Sequence, residues 1–422
     1  MTTKPNLPLP AAFNQLAWSN LSAQSAEQIA LAAAPMVAVL LLGVGEGQVG
    51  LLQTALTLPF LLFAIPAGVL ADWTSRRSLM VGAEAIRMIA LLAILALIMS
   101  DRLTLVALAT LGFISVCGTV MYSVAAPSLI PSLVPASKLA QANARIELAR
   151  TIAFASGPAL GGVLVGWLGG ASAFAVAALL SGIAVIMLSG VREPARAPVT
   201  TRRPLKDIRE GSAFVSSNAL LRPVFLTQLI FGAGAFMTLA VFVPYAVNQL
   251  HQSASAIGII LAMYGVGMIT GALMATRMLR WLPFGTVIAI GPVSGFIASV
   301  VMALTTVIPS PILAGVSFFL LGSGPILWVI STTTLRQSIT PQAMLGRASA
   351  INILSYGARP LGTAIAALVG GLYGADICLY LAVAIFGWQA ILIMTSPAVL
   401  LRHQPEPQDS PAPPCEFVAA KR

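Results

Sequence analysis

The chain has 422 residues, of which 58% are hydrophobic and only 9% charged, with a formal net charge of +10. Soluble domains carry roughly 25% charged residues, so a mean hydropathy of +0.93 excludes a soluble enzyme and leaves a polytopic membrane protein. Three scattered cysteines and two distant histidines offer no zinc box, catalytic set or disulfide framework, so no metal and no cofactor is expected.

A spanning helix needs about 20 mostly apolar residues. Twelve such segments are predicted, near 14–42, 47–70, 78–100, 103–126, 139–168, 171–191, 221–248, 255–276, 283–307, 312–334, 347–372 and 375–400. The first follows Lys4 and a run of prolines and has no small-residue cleavage site, so it is expected to be retained. Glu27 lies inside it, within Gln24-Ser25-Ala26-Glu27-Gln28. An intramembrane charge costs about 2.5–3.5 kcal/mol on insertion scales. A carboxyl kept there is a candidate proton-coupling group, or else the structural partner of a buried arginine.

Between the second and third spans stands Gly68-Val69-Leu70-Ala71-Asp72-Trp73-Thr74-Ser75-Arg76-Arg77. Charge and glycine in so short a turn stop two helices and lock them together. Glu84 and Arg87, at i,i+3 near the start of the third span, are assigned to the same latch. The fifth span carries Arg150, with Glu147 at i,i+3, so Arg150 either faces a cavity or pairs within its helix. Further along come Gly157-Pro158-Ala159-Leu160-Gly161-Gly162, where small residues allow another helix to approach closely. The longest polar stretch, 192–220, divides six spans from six and has room for a short amphipathic helix. The eleventh span holds Arg359 and an echo of the fifth, Arg359-Pro360-Leu361-Gly362 with Gly370 and Gly371. Residues 404–414 are too proline-rich to fold.

The basic residues fall on one side of this topology. Arg76, Arg77, Lys138, Arg277, Arg280, Arg336, Arg347, Arg402 and the cluster Arg192–Arg222 share it, and Arg102 stands alone opposite. That asymmetry predicts cytoplasmic termini, and it explains the positive charge without a nucleic-acid partner. Internal repetition is also visible. Gly68-Val69-Leu70 through Arg77 aligns with Gly271-Ala272-Leu273 through Arg280, an offset of 203, and Pro135/Leu139 aligns with Pro341/Leu345, an offset of 206.

The turn at Gly68–Arg77 resembles the loop signature of the major facilitator superfamily. Gly68, Asp72, Arg76 and Arg77 match, while Trp73 and Ser75 depart from it. Gly157–Gly162 is similar to the fifth-helix motif of that superfamily's proton-coupled drug exporters, with Ala144 and Ala153 in place of two further glycines. Together with Pro131, Pro135 and Ser355–Gly362, these stretches resemble the branch of drug and siderophore exporters. The resemblance implies an all-α membrane fold of twelve transmembrane helices in two six-helix halves, in a bacterial inner membrane. The expected organisation is 1–191 as the N-terminal half, 192–220 as linker, 221–400 as the C-terminal half and 401–422 as a cytoplasmic tail.

The implied activity is export of an amphipathic small molecule by proton antiport, with protons, substrate and the lipid bilayer as partners and a monomeric chain. In that reading Glu27 couples protons. Arg150, Arg359, Gln24, Gln53, Tyr122, Asn143, Gln228, Asn352 and Tyr356 line the substrate path. Gly68, Asp72, Arg76, Arg77, Glu84, Arg87, Gly157, Pro158, Gly161 and Gly162 switch the conformation. Uptake by proton symport is the rival within transport. A non-transporting sensor or enzyme is the rival outside it, and the chain shows neither a soluble domain nor a catalytic cluster for one.

Overall fold

The computed structural model describes residues 10–63, 66–67, 70, 74–135, 138–193, 204–340 and 355–405. Gly68, Asp72 and Asn352, three of the expected functional residues, lie outside them. All regular structure among the described residues is helical. The helices are α1 Ala11–Leu40, α2 Glu46–Leu62, α3 Arg76–Met99, α4 Leu105–Leu133, α5 Leu139–Leu168, α6 Gly170–Ser189, α7 Pro204–Ser217, α8 Leu221–Asn248, α9 Ala254–Trp281, α10 Phe284–Leu304, α11 Pro311–Ile339, α12 Ala358–Tyr373 and α13 Ala375–Met394. Ten of them are long and apolar enough to cross a membrane. Of the other three, α2 and α12, with 17 and 16 residues, border or lie close to residues outside the described set, and α7 is the short helix of the polar stretch.

Local chemistry fixes several helix starts. The side chains of Ser75, Thr104, Ser253 and Ser310 each accept a hydrogen bond from the backbone N–H three residues on, capping α3, α4, α9 and α11. Two turns depend on glycine. Gly169, at φ 83° and ψ 164°, is the only residue between α5 and α6, and Gly374, at φ 86° and ψ 173°, stands alone between α12 and α13. Essentially only glycine adopts that conformation. The two glycines are 205 residues apart, close to the offsets of the sequence repeats.

Packing repeats in the same way. In the first set, α1 packs on α5 and α6, α3 on α4 and α6, and α2 on α4. In the second set, α8 packs on α12 and α13, α10 on α11 and α13, and α9 on α11. The sets meet where α5 lies on α9 and α2 lies on α12.

The described charges define the two ends of this barrel of helices. Arg76, Arg77, Arg277, Arg280, Arg336 and Arg402 mark a basic end, and Glu46, Asp101, Arg102 and Asp376 mark the far end. Toward the far end one hydrophobic core joins both sets, from Ile29, Leu52, Leu91 and Phe174 to Phe242, Ile257, Phe318 and Phe386. Toward the basic end the core is divided. Phe13, Leu16, Met80 and Leu188 belong to one cluster, and Leu221, Ile288, Leu335 and Ile393 to another. The sets are therefore fused at the far end and separate at the basic end.

Glycines make that fusion possible. A β-carbon at Gly162 of α5 would lie 2.5 Å from the Ala254 carbonyl oxygen and 2.7 Å from the Gly258 Cα of α9. One at Gly258 would lie 2.6 Å from the Pro158 carbonyl oxygen. On the second contact, one at Gly47 would lie 2.8 Å from the Gly371 Cα, and one at Gly50 2.5 Å from the Ala367 nitrogen. Gly157 and Gly161 serve a different contact. They face Gln28 and Ile29 of α1, inside the first set.

Two sequence boundaries need correction, and one helix outruns its apolar span. The fourth span ends at Pro127, close to the expected 126, while α4 itself continues through Pro131 to Leu133 although each proline removes an i→i−4 backbone hydrogen bond. The eleventh span is not one described helix: Ser355–Gly357 is a single 3-10 turn before α12. The last span ends at Met394, and a 3-10 turn follows at Pro397–Leu400.

The two glycine faces of α5 should separate experimentally. Gly162→Leu is expected to pry α5 from α9, so that Ser255→Cys in the same chain is alkylated faster by an impermeant maleimide. Gly161→Leu overpacks α5 against α1, at about 1–3 kcal/mol, and should lower the melting temperature while leaving Ser255→Cys reactivity unchanged.

Candidate functional site

Glu27 sits midway along α1, 16 residues from its start and 13 from its end, so about 24 Å and 20 Å by helical rise. It is half-buried and forms part of the wall of a cavity bounded by α1, α2, α3, α4 and α6. The charged groups near enough to act on it are Arg87, Glu84, Arg359 and Arg150. Neither ion pair found among the described residues includes it, for these join Arg87 to Glu84 and Arg150 to Glu147.

The Arg87–Glu84 pair departs from its expected place. Neither residue lies at the membrane edge beside the turn at 68–77. Arg87 is 11 residues into α3, about 17 Å from its start, and both side chains are almost fully buried. Arg87 Nη1 lies 2.9 Å from a Glu84 carboxylate oxygen and donates to the Ala23 carbonyl of α1 at 3.0 Å, while Nη2 donates to the Thr119 hydroxyl of α4 at 2.6 Å. Desolvating a lone guanidinium would be prohibitive. The carboxylate and two further acceptors make its burial tolerable and clamp three helices together. Thr119 and the Ala23 carbonyl escaped the sequence reading because nothing in their own neighbourhoods marks them as partners.

Arg150 lies 11 residues into α5 and forms the pair that its i,i+3 spacing with Glu147 allows. Its Nε lies 3.0 and 3.1 Å from the two carboxylate oxygens, and its guanidinium sits 5.4 Å from the Phe154 ring centroid. Arg359 occupies the first turn of α12, with its guanidinium 5.1 Å from the Phe60 ring centroid and 4.9 Å from that of Phe236. It thereby joins α2 of the first set to α8 of the second. Gln24, Gln53 and Gln228 are partly accessible and Asn143 is exposed. Gln228 also lines a cleft at the basic end with Phe225, Trp328 and Arg336. Tyr122 is corrected from lining residue to core residue. It is 2% exposed, because its face of α4 packs into the cluster with Phe13, Leu16 and Met80. Tyr356 belongs to the 3-10 turn before α12.

At the basic end two helix termini cap each other. The Glu193 carboxylate, four residues beyond α6, accepts from the Ser75 hydroxyl at 2.7 Å, the Arg76 N–H at 3.3 Å and the Arg77 N–H at 3.0 Å. These are orphan donors at the start of α3. In return the Arg77 guanidinium donates to the Leu188 and Ser189 carbonyls at the end of α6. Burial alone would raise the Glu193 pKa. The bonds from Arg77, Ser75 and Arg76, with the Arg76 charge, outweigh it and hold the carboxyl below the ordinary value of 4.5. Glu193 was missed as a functional residue. Its one sequence signal is an acidic side chain at the close of a span, in an otherwise basic stretch.

Among the described residues, no group of three or more His, Cys, Asp or Glu is placed to hold a metal ion. The chemistry these residues show is charge pairing around a mid-span carboxyl.

Comparison with known proteins gives a consistent result. Residues 17–419 match the profile of a family described as transmembrane secretion effector. The enterobactin exporter EntS of Citrobacter koseri is 27% identical over 376 residues, covering 87% of each chain. The multidrug efflux pump Tap of Mycolicibacterium fortuitum is 26% identical over 355 residues, covering 80% of this chain and 85% of its own. Among solved structures, a bacterial homologue of the iron transporter ferroportin in an inward-facing state superposes with a TM-score of 0.72 at 17% identity, covering 92% of this chain and 99% of that one. The relatives and the family are transporters, not enzymes.

Two stability predictions arise from these polar clusters. Arg87→Met leaves Glu84 buried without its counter-charge and should cost about 3–5 kcal/mol, seen as a large fall in detergent unfolding midpoint. The surface change Arg145→Ala should stay within about 0.5 kcal/mol. Glu193→Ala should cost about 0.5–2 kcal/mol as a lost cap. Because the folded-state pKa of Glu193 is depressed, its contribution is complete above about pH 4.5 and fades as pH falls through the lower folded value. The difference between wild type and Glu193→Ala in thermal unfolding should therefore shrink in acid.

Proposed function

The chain belongs to the transmembrane secretion effector family of major facilitator transporters, and from that premise we propose that it exports an amphipathic small molecule, siderophore-like or drug-like, by proton antiport. The protein spans the membrane many times. In this reading the fold is twelve spans in two six-helix halves, α1–α6 and α8–α13, with α7 on the membrane surface between them. The basic end faces the cytoplasm, because positively charged loops are retained there, and the membrane is a bacterial inner membrane. The repeated packing, the paired Gly169 and Gly374 turns and the divided core at the basic end support two bodies that rock about the far-end seam.

The observation that carries the coupling is the position of Glu27. It is a half-buried carboxyl at mid-span, outside the two ion pairs and within the fields of Arg87, Arg359 and Arg150. An anionic part of the substrate held by Arg150 or Arg359 disfavours an ionised Glu27, and a proton on Glu27 removes that conflict. Binding of one ligand thereby alters the affinity for the other, which is the thermodynamic requirement for coupled exchange. The names of EntS and Tap favour export of enterobactin-like or drug-like molecules over uptake.

The decisive measurement uses inverted membrane vesicles with enterobactin and ethidium as probes. Wild type should concentrate one of them under an imposed proton gradient. Glu27→Gln should fall to the level of vesicles without the protein, while counterflow exchange of the same probe persists. A Glu27→Gln protein that still concentrates the probe assigns the carboxyl a structural role. Accumulation by right-side-out vesicles instead makes the protein an importer.

A further inference from the structure

Past its glycines the contact between α2 and α12 changes character. Close approach at Gly47/Gly371 and Gly50/Ala367 gives way to Thr57 and Thr363, whose hydroxyls lie 3.3 Å apart, and then to Phe60 and Arg359. Phe60 and Arg359 each stand 14 residues from the far-end terminus of their helix, about 21 Å by helical rise, so ring and guanidinium meet at one depth. The guanidinium lies over two rings, 5.1 Å from the centroid of Phe60 and 4.9 Å from that of Phe236. All three side chains are partly accessible. The charge of Arg359 also reaches Glu27 of the first set and Tyr264 of the second, so its field extends to both.

A ring face attracts a guanidinium through its quadrupole and carries no net charge, so it steadies the cation without cancelling it. The two rings differ in one respect. Phe236 shares the second set with Arg359 and travels with it, whereas Phe60 belongs to the first set and lies across the contact. Rocking of the sets therefore displaces Phe60 from the guanidinium and leaves Phe236 in place. We infer that Phe60 and Phe236 are positioning residues for a substrate anion at Arg359, and that Phe60 makes the strength of this anion site depend on which face of the protein is open. This rests on the reading of Arg359 as the holder of an anionic substrate group, and it adds the reason the site releases what it holds. With the seam closed and the basic end open, both rings fix the guanidinium, and an anion arriving from the cytoplasm finds it ordered. After the sets have rocked one ring remains, and the anion must bear the cost of ordering a freer side chain. A ligand held equally in both states shifts nothing between them; a ring supplied by the opposite set makes the two states unequal.

The placement of Arg359 is read first, without substrate. A β-carbon at Gly166 would lie 3.5 Å from the Ser255 Cβ, within the spacing of about 3.5–4.5 Å that a disulfide requires. Gly166→Cys with Ser255→Cys, in a chain lacking its three native cysteines, is oxidised to hold the seam closed. Modification of Arg359 by phenylglyoxal, which reacts with guanidinium groups, is followed by mass spectrometry. In the locked chain Phe60→Leu and Phe236→Leu should each raise the rate several-fold, and Phe60→Tyr, which keeps an aromatic face, should restore it. In an unlocked Gly162→Leu chain, whose seam is pried open, Phe236→Leu should keep its effect and Phe60→Leu should lose it. Labelling that ignores both leucine variants in the locked chain overturns the positioning role. A Phe60→Leu effect of equal size in the locked and the pried chain overturns the dependence on state.

The consequence for substrate is read with enterobactin and the native seam. Half-saturation is measured from the cytoplasmic face with inverted vesicles and from the opposite face by counterflow in right-side-out vesicles. Phe236→Leu should raise both values several-fold, whereas Phe60→Leu should raise the cytoplasmic value alone and Phe60→Tyr should restore it. Equal shifts at both faces in Phe60→Leu, or none, overturn its part in substrate release. Labelling as expected, with no movement of enterobactin by wild type in either orientation, overturns the substrate reading of Arg359 and leaves the rings as a latch between the sets.

Discussion

Backbones approach closely along the seam where α5 meets α9 and α2 meets α12. At Gly162/Gly258 and Gly47/Gly371 there is no room for even one added carbon. Everything else about the shape depends on this contact. Inside a bilayer, helices gain little from the hydrophobic effect, since lipid tails are as apolar as leucine, so association relies on close packing. A glycine seam concentrates that packing at one end. The same helices diverge at the other end, where the hydrophobic core splits in two.

A seam of this kind suits a moving interface better than a permanent one. Interdigitated leucines would have to unlock side chain by side chain, whereas two flat backbone surfaces separate or slide with few rotamer changes. Within each set close glycine contacts recur, as where Gly362 meets the Ala233 carbonyl, and directional polar contacts are added to them. Arg87 ties α1, α3 and α4 together through Glu84, Thr119 and the Ala23 carbonyl, and Gln389 of α13 donates to the Thr227 carbonyl of α8. Directional polar contacts in a low dielectric have sharp geometric optima, and they keep each set rigid while the seam between them stays simple.

Much of this was legible in the residues. Hydropathy placed most of the apolar helices to within a few residues, ten of them long enough to cross a membrane, and the glycine run at 157–162 pointed to close approach. Sequence did not reveal which helix each face meets, with Gly157 and Gly161 toward α1 and Gly162 toward α9, because the roughly 100° between adjacent positions gives two directions but not the neighbours that lie along them. The i,i+3 rule found Glu84 with Arg87 and Glu147 with Arg150, but spacing carries no information about depth. One pair is buried in the core of a set, while the other stays accessible. Tyr122 and Glu193 failed for a common reason: a polar side chain shows its role only through partners far away in the chain. Glu193 caps a helix that begins more than a hundred residues earlier.

The turn at Gly169 has a mechanical consequence. With one residue between them, α5 and α6 have no slack, so a displacement of α5 along or across the seam must be carried into α6. The opposite end of α6 is gripped by the Arg77 guanidinium, and Glu193 just beyond it grips the start of α3. The helix pair is thus a lever with a single-residue fulcrum at one face of the membrane and its clasp at the other. Opening the seam loads that clasp from roughly 30 Å away, the length of a 20-residue helix. A clasp of hydrogen bonds at a water-exposed edge yields readily and reforms readily. The force that opens one face of the protein can therefore be registered at the other without any side chain travelling between them.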